Sequence, residues 1–179
     1  MNKKSKIFIA IFFSIILIPV IIIGVINYTK EQELNKKIEN SRATKTLSLN
    51  NITSSISCDE LFEIETSKEY TIEENISADN EKMQTITFTN TSFYGSRCEM
   101  DYVFYNNELG MCIFTIDTSH WQPKDIYEEL VKINDLPDTT EIDDNSFWLE
   151  KYTWYGKNGT MVYNKLNNET IEILFEISN

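Results

Sequence analysis

The chain divides into a continuous hydrophobic head and an alternating polar and apolar body. Ile7 to Ile26 is apolar except at Ser14, Pro19 and Gly24. A bilayer core of ~30 Å takes about 20 helical residues, and the run has that reach. Secretory h-regions are shorter, roughly 7–15 residues, and end at a small-x-small site. This run leaves through Val25-Ile26-Asn27-Tyr28-Thr29 without such a site, and the first cysteine, Cys58, is too distant for a lipidated leader. The pattern predicts an uncleaved transmembrane anchor over 7–28, with Tyr28 as an interfacial aromatic. Lys3, Lys4 and Lys6 precede it, and Thr29-Lys30-Glu31-Gln32-Glu33 follow. The positive-inside rule then predicts a cytoplasmic tail, 1–6, and a single-pass cell-membrane protein whose C-terminal domain lies outside.

Beyond the run, 29–54 reads as a juxtamembrane linker. Lys30–Lys45 is polar, with Leu34 and Ile38 four apart, and Ser48–Ser57 is loop-like. A domain is expected over 55–179. Ser57 with Glu60 three residues on fits a capping box and a short helix to about Thr66, although Phe62 and Ile64 also alternate as in a strand. Ile86 and Phe88 alternate with Thr85, Thr87 and Thr89, the pattern of a half-buried strand over Met83–Thr91. Cys98–Tyr105 and Met111–Asp117 read as a hairpin. Pro123 opens a helix whose apolar positions Ile126, Leu130 and Ile133, with Tyr127 beside them, recur at helical spacing. Leu136-Pro137 closes it. Phe147–Tyr155, Thr160–Leu166 and Thr170–Ile177 read as a three-strand meander, with Asn158-Gly159 as a strong two-residue turn and Asn167-Asn168 as a weaker one. The class is α+β: an N-terminal transmembrane helix, then a small extracytoplasmic domain with a mostly antiparallel sheet and one main helix.

Charge narrows the partners. The formal charge is −12, and from Thr46 onward 25 acidic residues stand against 8 basic ones. Nucleic acid is excluded, because phosphate binding requires a basic face. A single histidine excludes an H-E-x-x-H zinc centre. No cofactor and no metal is expected. Asp135, Asp138, Glu141, Asp143 and Asp144 lack the ligand order of a calcium loop and read as a solvated acidic segment. His120, beside Ser119, reads as a helix-entry residue, since no G-x-S-x-G elbow accompanies it.

Three cysteines outside the cytoplasm imply one disulfide and one spare thiol. With a hairpin loop of Asn107-Glu108-Leu109, Phe104 faces Cys112 and Tyr102 faces Phe114. Cys98 and Cys112 are then about 20 Å apart, beyond the ~7 Å Cα reach of a disulfide. Cys58 and Cys98 are the expected pair. In the meander, a two-residue turn at Asn158-Gly159 sets Trp154 opposite Tyr163, and one at Asn167-Asn168 sets Tyr163 opposite Glu172. Ile171, Ile173, Phe175 and Ile177 then form the core face. The opposite face carries Trp148, Tyr152, Trp154, Met161, Tyr163 and Leu174, too apolar for plain solvation. Either the N-terminal segment covers it, or Tyr152, Trp154 and Tyr163 bind a partner.

These features predict a membrane-anchored extracytoplasmic interaction module of the cell envelope, not an enzyme. Its partners are membrane lipid, through the anchor, and a protein. The alternatives are a small-ligand-binding or enzymatic domain with a cleft, which needs a convergent polar set, and a pilin-like assembly subunit, whose glycine-ended leader and early glutamate are missing.

Overall fold

The computed structural model describes residues 3–50, 52, 56–65, 67, 69–76, 81–119, 123–142 and 148–178, with side chains from Ile18 onward apart from those of 123 and 124. The chain forms two compact units, Met1–Glu39 and Asn40–Asn179. The first is helical throughout its described length. It is the body of helix α1, Lys3–Thr44, whose last turn belongs to the second unit.

The expected anchor is corrected here. Among the described residues, no helix is long and apolar enough to cross a membrane. From Ile18 the apolar positions stop at Ile26, and Lys30, Glu31 and Glu33 follow within two turns. The earlier part of the run, 7–17, lies outside the residues whose side chains are described. The single-pass placement and the lipid partner are therefore unsupported.

The second unit is α+β. Helices α2 (Cys58–Ile64) and α3 (Pro123–Asn134) accompany an eight-stranded antiparallel sheet. Its strands are β1 (Tyr70–Ile76), β2 (Lys82–Phe93), β3 (Ser96–Tyr105), β4 (Glu108–Asp117), β5 (Thr139–Ile142), β6 (Glu150–Gly156), β7 (Gly159–Lys165) and β8 (Thr170–Ile177). The spatial order is β1-β2-β3-β4-β8-β7-β6-β5. The two edge strands escaped the sequence pattern. β1 is exposed along its whole length, and Ile142 of β5 is exposed, so neither shows a buried period of two.

Turn chemistry sets the registers. Asn106 and Asn107 adopt φ of 51° and 72°, the two left-handed positions of a type I′ turn. The predicted three-residue loop is replaced, and Tyr102 faces Cys112. In the meander, Gly156 pairs with Gly159, so the β6–β7 turn is Lys157-Asn158. Asn158 is held there because its Oδ1 accepts from the Leu47 N–H (2.8 Å) and its Nδ2 donates to the Leu47 carbonyl (2.8 Å). Trp154 thus faces Met161, and Tyr152 faces Tyr163. Both shifts are by two residues, and side chains keep their faces.

The β7–β8 connection differs in parity. Lys165 pairs with Ile171, so 166–170 lie outside that ladder, and the Glu169 N–H donates to Asn167 Oδ1 (2.7 Å) within the loop. Tyr163 faces Ile173, where a two-residue turn would set it against Glu172. An odd shift exchanges faces. The two apolar sets that the sequence pattern separates, Trp154-Met161-Tyr163 and Ile171-Ile173-Phe175, therefore share one face.

That face is the core. Ile86, Phe88, Met100, Tyr102, Cys112 and Phe114 continue it across β2, β3 and β4. Phe62 of α2 lies 5.8 Å from the Phe88 ring, and α3 contributes Ile126 and Leu130. Leu47, Leu49 and Ile52 are also buried in it. The stretch expected as a linker, 29–54, is thus helix to Thr44 and places Leu47, Leu49 and Ile52 in the core, and the compact unit begins at Asn40, ahead of the expected boundary at 55.

Candidate functional site

The predicted binding residues are interior. Trp154 is 0% exposed and Tyr163 1%; Tyr152 is half-buried. Tyr127 of α3 covers them, with ring centroids 4.5 Å from Tyr152, 6.3 Å from Trp154 and 6.2 Å from Tyr163. The helix is positioned by its own end. Asp135 turns left-handed (φ 61°) directly after it, and its carbonyl accepts the Trp154 indole N–H at 2.9 Å. At the half-exposed rim, Glu150 accepts from Lys165 Nζ (2.8 Å) and from the Tyr152 hydroxyl (2.8 Å). The lysine, chiefly, holds the Glu150 carboxyl below its ordinary range. Burial, aided by Glu150, pushes the Tyr152 phenol up to about 12. The set of Tyr152, Trp154 and Tyr163 is thus a core with a polar rim; of the two alternatives, cover or partner binding, the face is covered, and α3 contributes the cover through Tyr127.

The disulfide is corrected as well, because Cys58, Cys98 and Cys112 are all free thiols. Cys58 Sγ donates to Gln84 Oε1 (3.2 Å), whereas Cys98 pairs in the sheet with Thr91. Gln84 pairs with Phe104, six residues along β3 from Cys98, about 20 Å at ~3.4 Å per residue. Burial pushes both inner thiols, Cys98 and Cys112, well above the usual thiol range.

His120, Asp143 and Asp144 lie outside the described residues. Asp138 is structural. Its side chain is fully buried and accepts from Ser41 Oγ (2.7 Å) and the Tyr155 N–H (2.9 Å), with Lys45 Nζ at 3.7 Å. Among the described residues, no group of three or more His, Cys, Asp or Glu side chains is placed to hold a metal ion.

The sheet's other face is the remaining surface of consequence. Register places one row straight across the sheet: Thr87, Asp101, Ile113, Leu174, Val162 and Thr153. The next row carries Val103, Met111, Glu176 and Thr160, and the row on the other side Glu99, Thr115, Glu172 and Asn164. Val103, Met111, Ile113, Leu174 and Val162 form an apolar strip across β3, β4, β8 and β7. Three inter-strand spacings make it about 14 Å wide. None of the five belongs to the core cluster, although Val103 is buried among its sheet neighbours.

Two open hollows flank the strip, one at each end of the strands. One, of about 470 Å³, is lined by Arg97, Glu99, Thr115, Asp117 and Glu169 among others. The other, of about 540 Å³, is lined by Glu81, Tyr105, Glu108, Met111 and Glu176 among others. The sequence carried a signal for this surface that the strand assignments passed over. Met111-Cys112-Ile113-Phe114 and Ile173-Leu174-Phe175 are apolar in both phases of the strand period, the pattern of strands apolar on both faces.

No family model matches the chain, and neither a curated protein nor a solved structure matches it.

Proposed function

We propose that the chain is a protein-interaction module, without catalytic activity, that uses the sheet face opposite α2 and α3 as the docking surface. The observation that carries this reading is the strip of Val103, Met111, Ile113, Val162 and Leu174, apolar and outside the core cluster on a rigid eight-stranded sheet. Apolar groups grouped on one surface are the usual mark of an interaction site. Sheet backbone hydrogen bonding gives that surface fixed geometry, which lowers the ordering cost of association.

Site-specific photocrosslinking in the native cell tests it. A photoreactive side chain placed at Ile113 or Leu174 is expected to give one discrete protein adduct. The same group at Glu63, exposed on α2, is expected to give none. Adducts from Glu63 alone, or from neither face position, would overturn the assignment.

A further inference from the structure

We infer that the partner docking on this face is a protein surface with an apolar ridge bordered on both sides by lysine or arginine. The inference rests on the proposed docking face and adds its charge logic. The apolar strip runs across the strands, and carboxylates border it in both strand directions. Glu99 and Glu172 stand in the row on one side, and Glu176 stands beside Met111 at the strip's other margin. The hollows beyond add Asp117 and Glu169 at one end and Glu81 and Glu108 at the other. Among the described residues, three cations on or beside this face have partners within the chain. Arg97 donates to Asn90 Oδ1 at 2.8 Å, and Lys151 lies 3.3 Å from Glu141. Arg42 lies over the Tyr155 ring at the β6 side.

Complementary potentials steer encounter and reject wrong partners. An apolar ridge fits the strip, and long basic side chains on its two borders reach the acid-lined hollows. A second copy of this chain is disfavoured, because self-docking would set Glu99, Glu172 and Glu176 against like charge. An anionic lipid surface and a nucleic acid are disfavoured by the same repulsion.

The test uses the full chain and a short synthetic peptide of leucine and lysine at helical spacing, with a leucine–glutamate peptide of the same pattern as counterpart. Binding is measured by calorimetry, and each variant's folding is checked by its thermal melt. The lysine peptide is expected to bind and the glutamate peptide not. The paired substitution Glu99→Lys with Glu172→Lys should weaken binding at least about tenfold, as should Ile113→Asn with Leu174→Asn. An equal charge change on the helical layer, Glu63→Lys with Glu128→Lys, should cost much less. Should a face variant fail to fold, salt gives an independent arm. Raising it from ~0.1 to ~1 M shortens the Debye length from ~10 to ~3 Å, and the unaltered chain should lose about tenfold in affinity.

Equal binding of the two peptides, equal losses from the face and helical-layer charge variants, or indifference to salt would each overturn the charge assignment. Adducts at Ile113 or Leu174 with a partner surface poor in lysine and arginine would overturn it too, while leaving the docking face standing. Absence of those adducts would remove the face itself.

Discussion

Asp138 shows how one side chain holds distant segments together. Its buried carboxylate accepts from Ser41 at the end of α1 and from the backbone of β6, with Lys45 alongside. Truncating it leaves buried donors without an acceptor. Asp138→Ala is expected to lower unfolding free energy by about 3 kcal/mol, and Ser41→Ala by about 1 kcal/mol, in urea denaturation. Trp154 carries a comparable load through packing. It is fully buried under α3, and its indole N–H is satisfied by Asp135. Trp154→Ala should cost about 3–5 kcal/mol and lower the melting temperature by roughly 10 °C or more. An unchanged melt would return Trp154 to the surface.

At the scale of elements, two carboxylates tie stability to pH. Ser57 and Glu60 close the capping box of α2, with the Ser57 N–H donating to Glu60 Oε2 at 2.8 Å. That backbone hydrogen bond, then the serine hydroxyl, holds the Glu60 carboxyl below its ordinary 4.5. Glu150, joined to Lys165 across β6 and β7, is lowered in the same direction. A carboxylate whose folded pKa lies below its unfolded one stabilises above the unfolded value and loses that contribution as pH falls through the folded one. Stability should therefore decline as pH drops below about 4.5. Glu150→Gln should flatten the decline between pH 5 and 3 in pH-dependent melts; an unchanged slope would place the titration elsewhere.

For the whole molecule, the boundary of the folded unit is decisive. Leu47, Leu49 and Ile52 lie outside any strand, yet each is almost wholly buried. Losing a buried aliphatic side chain costs about 2–5 kcal/mol, and a domain's total stability is about 5–15 kcal/mol. A fragment spanning 40–179 should melt cooperatively. One starting at 53 forfeits all three contacts, together with Ser41 and Lys45, and should show no sharp transition by circular dichroism. A cooperative melt of the shorter fragment would show that this segment only decorates the core.

The α+β class, the capping box, helix α3 and six of the eight strands follow from local period and turn residues alone, because they depend on neighbours within a few positions. The face on which the aromatics lie was settled by a single residue of loop length between β7 and β8. Whether Asn167-Asn168 closes the turn or sits inside a longer loop is a matter of tertiary fit, and an odd difference exchanges the faces of a strand. The burial of Leu47 depends on Asn158, a residue far along the chain whose amide grips its backbone. Cysteine separation likewise depended on where α2 meets the sheet. The candidate docking strip was visible only as stretches apolar in both phases. Assigning it to a face required the registers of four strands together, a property of the assembled sheet that no window of sequence contains.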